Sequence, residues 1–246
     1  MIDFLATYAD YWADWSPRLL AAALVTAQLS LCGFALAAVL GSLLTVAQRG
    51  TNPWLRRAAG TYVQFIRAVP LLALLLAIYF VLPQAGLTLP GFWAGVIGLG
   101  LQGSAYVAEI LRGGLGSVHK GQREAGLTVG MTPWQIFVSV SAPQAMRVML
   151  PPLLNAYVSL LKDSSLCALI ATDELMLTAR AISSESFLPL HIFLLVGVFY
   201  FVIAFPLSML SRWLEVRLAR GRRVMGAADS KVAIRPARQM TERAGS

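Results

Sequence analysis

Two ionisable residues, Lys162 and Asp163, stand side by side inside an otherwise apolar run of a 246-residue chain. A charged side chain inside a membrane span costs roughly 2.5–3.5 kcal/mol on insertion scales, so such groups face a protein interior or a water-filled cavity, and often pair. Neighbours in a helix point in different directions, so each of these two needs its own partner on another helix. Two readings stand at this point: a pathway or gate element that meets a zwitterionic solute, or a structural ion pair within a helix bundle. Ser164 and Ser165 follow directly, and either line the same path or bond back to their own helix. Gln102 lies inside Gly98-Leu99-Gly100-Leu101-Gln102-Gly103, which matches GxGxxG letter for letter. A dinucleotide site needs that motif after a strand and within a βαβ unit, and here it falls in a hydrophobic span. Its small residues then serve close helix packing, or border a solute path that Gln102 would line.

Other chemistries lack their residues. No GxxxxGK[ST] phosphate loop occurs, so the chain offers ATP no site of that kind. His119 and His191 have no ligand companions at a metal-binding spacing. No nucleophile stands in register with a base. No metal, cofactor or catalytic group is therefore expected on this chain.

The elements that position these residues are set by composition. Hydrophobic residues make up 57% of the chain and charged ones 13%, against about 45–50% and about 25% in soluble domains. The mean hydropathy is +0.67. Soluble globular and disordered classes are excluded, and the chain is expected to be an all-α integral membrane protein. Five stretches approach the roughly 20 apolar residues that a span requires: 19–46, 62–82, 92–111, 148–171 and 190–210. Pro70 is expected to bend the second. Counting from Val148, Lys162 lies about 21 Å along its helix, past the midplane. Glu109, three residues before Arg112, is expected to make a structural pair, and Arg67 to snorkel.

The net charge of +8 reads as the positive-inside bias rather than as nucleic-acid binding. Arg49, Arg56 and Arg57 follow the first span, Arg112, Lys120, Arg123 and Arg147 the third, and Arg212, Arg217, Arg220, Arg222 and Arg223 the fifth. The expected topology puts the N-terminus outside and the C-terminus in the cytoplasm. Residues 1–18 form a periplasmic or interfacial segment with Tyr8, Tyr11, Trp12 and Trp15 as an aromatic belt, 19–217 the transmembrane domain, and 218–246 a basic, disordered tail. Cys32 and Cys167 act as small hydrophobes.

The connector between spans three and four is too long to be a bare loop. Lys120 to Val129 reads as a short helix closed by Gly130. Thr132, Pro133 and Gln135 then supply an N-cap, a first helical residue and a capping-box partner, with Met131 and Ile136 placed as a hydrophobic staple. This second helix is expected to stop before Pro143. Polar Gln122, Glu124 and Thr128 mix with apolar Leu127, Val129 and Met131 on the exposed side. That pattern suits either a docking helix or one lying on lipid headgroups.

Glu124-Ala125-Gly126 followed by Gly130 resembles the EAA loop of ABC-transporter permease subunits, in the branch that takes up polar amino acids. Tyr62-Val63-Gln64-Phe65-Ile66-Arg67-Ala68-Val69-Pro70-Leu71-Leu72 carries the resemblance too. So do Tyr106 to Gly114, Gly121-Gln122, Pro143-Gln144-Ala145 and Leu161-Lys162-Asp163-Ser164-Ser165-Leu166. It spans about residues 22–217. Gly126 departs from the usual third alanine, at a cost of up to about 1 kcal/mol in helix propensity. Ala142 and Ser164 are further small departures.

The resemblance implies a bacterial inner-membrane importer subunit, multi-pass and not itself an enzyme. It implies a second permease chain, two ABC ATPase subunits that hold ATP and Mg, and a periplasmic solute-binding protein. It makes Gly121, Gln122, Glu124, Ala125, Gly126 and Gly130 the ATPase-coupling residues, and Gln102, Lys162, Asp163, Ser164 and Ser165 candidates for the solute pathway. The rival is a secondary transporter or channel without an ATPase, with Lys162 and Asp163 as an ion relay.

Overall fold

The computed structural model describes residues 2–233, all of whose regular structure is helical. Helix α1 covers Ile2–Arg49, so the aromatic N-terminal segment continues directly into the first span. Helix α2 (Pro53–Ala68) begins at the Asn52 cap, whose side chain accepts from the Trp54 and Leu55 N–H groups. Helix α3 (Leu71–Leu76) runs on through a π turn at Ala77–Val81 and a 3₁₀ turn at Leu82–Ala85. The expected second span is therefore not one rod, because α2 and the α3 segment meet at 104°. The cause is local: Pro70 has no N–H and drives Val69 into extended backbone.

Helix α4 is Gly91–Gly116, α5 is Lys120–Thr128 and α6 is Pro133–Ile136. The helix that starts at Pro133 does not stop before Pro143, contrary to expectation. It passes through a π turn at Phe137–Ser141 into α7 (Ala142–Asp163) and ends in a 3₁₀ segment at Ser164–Ile170. The Ala142 N–H donates to the Phe137 carbonyl, five residues back. That widened turn makes room for the proline ring and its missing donor, which would otherwise break the ladder. Helix α8 (Leu175–Ser186) follows, then α9 (Pro189–Ala233). From residue 218, where an unstructured tail is expected, the helix instead continues to Ala233; 234–246 lie outside the described residues. Four helices are long and apolar enough to cross a bilayer, Ala6–Arg49, Gly91–Gly116, Pro133–Ile170 and Pro189–Leu218, and the pair bent by 104° makes a fifth if it is counted as one span.

The bundle is organised around α4. Helix α1 runs parallel to it, with Gly33 against Leu99, Ala37 against Gly103 and Gly41 against Val107. The glycines of the GxGxxG stretch serve three neighbours. A methyl group at Gly98 would strike Leu75 of α3, one at Gly100 would strike Leu36 of α1, and one at Gly103 would meet Ala37 and Leu160 of α7. Tyr62 of α2 donates its hydroxyl to the Leu101 carbonyl at 3.3 Å, and Thr45 of α1 donates to Ala108 at 3.3 Å. Such bonds contribute about 0.6–2 kcal/mol each inside a bilayer, so packing carries most of the cohesion.

At the opposite end from α5, Trp15, Leu19 and Ala22 of α1 pack with Leu175, Ala179 and Ile182 of α8 and Ile192 and Val196 of α9. Glu174, fully buried, ties α8 to α9. One carboxylate oxygen caps α8 by accepting from the Leu177 N–H at 2.9 Å, and the other accepts from the Tyr200 hydroxyl of α9 at 2.9 Å. Thr26 of α1 accepts from the Leu175 N–H at 3.0 Å. Burial pushes the Glu174 carboxyl above the ordinary carboxylate range, and the N–H groups of Met176 and Leu177 and the Tyr200 hydroxyl oppose that shift. Arg18 closes the same end with a bidentate pair to Glu185 at 2.6 and 2.9 Å, which holds the Glu185 carboxyl below its usual range.

Substitutions at Gly100, Gly113 and Glu174 test this packing by thermal unfolding in detergent. Gly100→Val should lose about 1–3 kcal/mol by overpacking against Leu36, with partial recovery on adding Leu36→Ala. Gly113→Ala, where a methyl group meets nothing within 4 Å, should be neutral. Glu174→Ala should lose about 1–3 kcal/mol through the vacated cap and the unpartnered Tyr200 hydroxyl. Glu174→Gln, which keeps a capping oxygen, should lose less than half of that.

Candidate functional site

A cavity of about 320 Å³ opens between α1, α3, α4 and α7. Its polar wall is Gln102 and Tyr106 of α4 with Ser159 and Asp163 of α7. Its apolar wall includes Phe34 of α1, Leu71 at the start of α3, and Leu99. That size and mixture suit a small solute held by a few convergent polar groups.

Of the residues singled out in the sequence, Gln102 and Asp163 therefore meet on one cavity. Three others do not join them. Lys162 is exposed and outside the lining. Ser164 is buried and donates to the Leu161 carbonyl at 2.7 Å, and Ser165 donates to the Lys162 carbonyl at 2.8 Å. Both serines thus take the local alternative, bonding back to their own helix where α7 tightens into its 3₁₀ end. Lys162 and Asp163 make no ion pair with another described residue. The solute-facing reading of Asp163 gains from that, and the structural-pair reading loses.

Toward the α5 end of α4, Glu109 accepts from Arg112 at 2.6 and 3.2 Å, as the spacing of three requires. Arg67 of α2 stands 3.9 Å from the same carboxylate and 5.7 Å from the centre of the Tyr106 ring. It therefore joins this cluster as well as reaching toward the interface. The cluster links α2 to α4 just beyond the cavity.

The connector folds as its residue types require. The His119 imidazole Nδ1 caps α5 by accepting from the Gly121 N–H at 3.1 Å, and Gln122, Glu124 and Ala125 are all exposed. Gly126 is the buried residue of α5, and a methyl group there would come within 2.7 Å of Ile136 Cγ1. The departure from alanine thus lets α5 seat on α6. Gly130 has φ +82°, the Gly130 N–H donates to Leu127 and the Met131 N–H to Gly126. This is a Schellman closure, which glycine accepts without a Cβ penalty. Thr132 and Gln135 complete the capping box. The outward surface combines Glu124 and Gln122 with Leu127, Val129 at 77% exposure and Trp134 at 71%.

Two residues escaped the sequence reading. Trp134 adds an exposed aromatic to the loop, and its signal was its place inside a capped first turn. Glu174 was missed because it sits at the end of an apolar run. The buried stripe of Leu175, Ala179 and Ile182, at helical spacing behind a capping acid, could have found it.

The chain matches the family described as the binding-protein-dependent transport system inner membrane component over residues 33–223. It is 41% identical over 167 residues to a probable glutamine ABC transporter permease protein, GlnM, of Bacillus subtilis, covering 68% of this chain and 76% of that one. It is 37% identical over 214 residues to the glutamine transport system permease protein GlnP of Escherichia coli, covering 85% and 97%. Among solved structures, an amino acid ABC transporter crystallised with histidines superposes with a TM-score of 0.80 at 31% identity, covering 88% of this chain and 99% of that one. The MetNI methionine ABC transporter shares the fold at a TM-score of 0.61 and 21% identity. A family match over most of the chain, joined to relatives aligned along most of both lengths, makes this protein a member of the inner-membrane permease components of binding-protein-dependent transport systems.

Proposed function

We propose that this chain carries a polar amino acid through the cavity lined by Gln102 and Asp163, driven by an ATPase docked on α5. As a family member it is a subunit of an ATP-driven importer, and hydrolysis belongs to a separate chain. Membership also sets aside the transporter without an ATPase. The amino-acid substrate is supported by the glutamine permeases to which the chain is similar and by the cavity's chemistry. A carboxylate at Asp163 suits a solute ammonium, while Gln102, Ser159 and Tyr106 can bond its neutral and anionic atoms.

One observation carries the coupling. The helix α5 hangs between the two helices that form the polar wall of the cavity. It follows directly from α4, which bears Gln102 and Tyr106. Through Gly126 it seats on Ile136, and Ile136 lies on the unbroken helix Pro133–Ile170 that bears Ser159 and Asp163. From Ile136 to Asp163 that rod is about 40 Å long at 1.5 Å per residue. A partner that moves α5 therefore acts on both cavity walls, through the short turn at 117–119 on one side and the Gly126–Ile136 seat on the other. The π turn at Phe137–Ser141 is where this lever is softest.

The full assembly we infer has two permease chains, this one paired with itself or a homologue, over two ATPases holding ATP and Mg. A periplasmic binding protein delivers the solute. The end bearing α5, Arg49, Arg112 and Arg147 is cytoplasmic, in keeping with its excess of basic side chains. The membrane is the bacterial inner membrane. ATP-driven closure shifts the pathway because the closed ATPases bind one arrangement of α5 better than the other.

Two measurements test this reading. In reconstituted complexes, Asp163→Asn should raise the KM for amino-acid uptake at least tenfold, the loss of one charge-assisted bond of about 1.5–3 kcal/mol, with ATPase association unchanged. Normal uptake in both Asp163→Asn and Gln102→Ala would remove the cavity from the pathway. For the loop, Glu124→Ala and Gly130→Val should leave the chain in the membrane but weaken ATPase association or uptake. Gly130→Val also forces a β-branched residue into left-handed backbone at roughly 1–2 kcal/mol. Unchanged binding-protein-stimulated hydrolysis and uptake in both variants would sink the docking assignment.

A further inference from the structure

Helix α2 begins on a surface that the protein itself leaves uncovered. All residues from Thr51 to Ala58 are exposed, and packing starts only at Ala59, followed by Val63 and Ile66. The exposed turn holds Trp54 at 76% and Leu55 at 53% exposure, followed by Arg56 and Arg57. Arg49, also exposed, ends α1 four residues before α2 begins. No acidic residue occurs in the sequence between Asp14 and Glu109, and Arg49, Arg56 and Arg57 make no ion pair with any described residue. Asn52 occupies the first free N–H groups of α2, so anion recognition here rests on the guanidinium groups.

The surface leading into this patch says what covers it. On α1, Val39, Leu43 and Val46 are 60%, 60% and 70% exposed and stand at i, i+4 and i+7, one apolar stripe along a membrane-spanning helix. Lipid chains are the solvent for such a stripe. One turn further on, the stripe ends in Arg49, and the chain turns into Trp54, Leu55, Arg56 and Arg57. Apolar contact therefore gives way to aromatic and then to cationic groups within two turns, the order in which a bilayer passes from acyl chain to headgroup. The 104° bend at Val69–Pro70 fits the same placement, because α2 and the α3 segment cannot both follow the bilayer normal.

We propose that Arg49, Arg56 and Arg57, with Trp54 as the aromatic anchor, form a binding site for the phosphate of an anionic phospholipid. The lipid holds the first turns of α2 at headgroup level. Because α3, past the bend, places Leu71 on the cavity wall, this site fixes one end of a broken helix whose other end borders the pathway. The site depends on the membrane-spanning architecture alone. It stands whichever face proves cytoplasmic, and whichever solute is carried.

The test uses the full-length permease, alone and in its ATPase complex, taken from nanodiscs of mixed phosphatidylglycerol and phosphatidylcholine into native mass spectrometry. The wild-type chain should retain phosphatidylglycerol over phosphatidylcholine. Each guanidinium near a charged surface contributes about fivefold in affinity, so Arg56→Gln with Arg57→Gln should cut retention more than tenfold. Arg56→Lys with Arg57→Lys should keep most of it. Arg180→Gln, an equal kind of charge loss at the other end, should change nothing. Both double variants should unfold at the wild-type temperature, since the replaced side chains are exposed. Equal retention of the two lipids by the wild type, or undiminished phosphatidylglycerol in the Gln variant, overturns the site. A photo-crosslinking residue at Trp54 gives the second readout. Adducts with lipid support the proposal, and adducts with the ATPase or a second permease chain overturn it.

Discussion

The close approach of neighbouring backbones to α4 is the constraint on which the remaining geometry depends. Inside a bilayer, apolar side chains gain nothing by leaving lipid for one another, so helices cohere through packing contacts and a few hydrogen bonds. Gly98, Gly100 and Gly103 let three different helices reach α4 at once, through Leu75, Leu36, and Ala37 with Leu160. Remove that access on any side and α1, α3 or α7 must shift outward. The cavity has a wall on each of those three helices, so its shape is set by glycines that mostly do not line it. This accounts for a stretch that mimics a nucleotide motif letter for letter: similar needs for close approach, met in a membrane span rather than beside a phosphate.

Irregular backbone is confined to places where its cost can be met. Unsatisfied peptide groups are tolerated at membrane depth only against protein or a water-filled space. The break at Val69–Pro70 lies next to Leu71, a cavity residue, and the 3₁₀ segment from Ser164 begins directly after Asp163, another. At that second place the hydroxyls of Ser164 and Ser165 accompany the tightening by bonding backbone carbonyls. The π turn before Pro143 is a further irregularity, and it keeps a helix continuous where a proline would have ended it.

What could be read from the residues divides along the range of the interactions involved. The connector was legible to the residue: the helix from Lys120, the left-handed Gly130, and the capping box of Thr132 and Gln135 are all short-range chemistry. Glu109 with Arg112 was legible for the same reason. The 104° bend was legible only as a bend, because proline announces a break but not its angle. The stop expected before Pro143 failed because the steric conflict was relieved by widening the preceding turn, an option the local rule does not contain. Asp163 and Gln102 could be nominated by their cost in a span, yet their meeting on one cavity depends on α1, α4 and α7 packing together. Ser164 and Ser165 show the opposite case, since a hydroxyl beside a charge reads as pathway until the helix is seen to tighten there. Glu174 needed both kinds of information, a local cap and a distant Tyr200.

These pieces bear on how a remote chemical event can reach a solute. A ligand shifts a conformational equilibrium only by its differential affinity for the two states, and moving a population from 1:99 to 99:1 needs about 5.5 kcal/mol of difference. A short helix on a loose connector would spend most of that in local rearrangement. Here α5 is closed at both ends, by His119 and by the Schellman turn at Gly130, and is seated on Ile136 through Gly126. Its motion has few local modes to dissipate into. A turn of three residues (117–119) joins it to α4 on one side, and the Gly130 turn leads to α6 and α7 on the other. Capping residues that look like small contributions to helix stability therefore also stiffen the loop, as the proposed coupling requires. In the proposed coupling, the π turn at Phe137–Ser141 is a softened joint between the seat of α5 and Asp163.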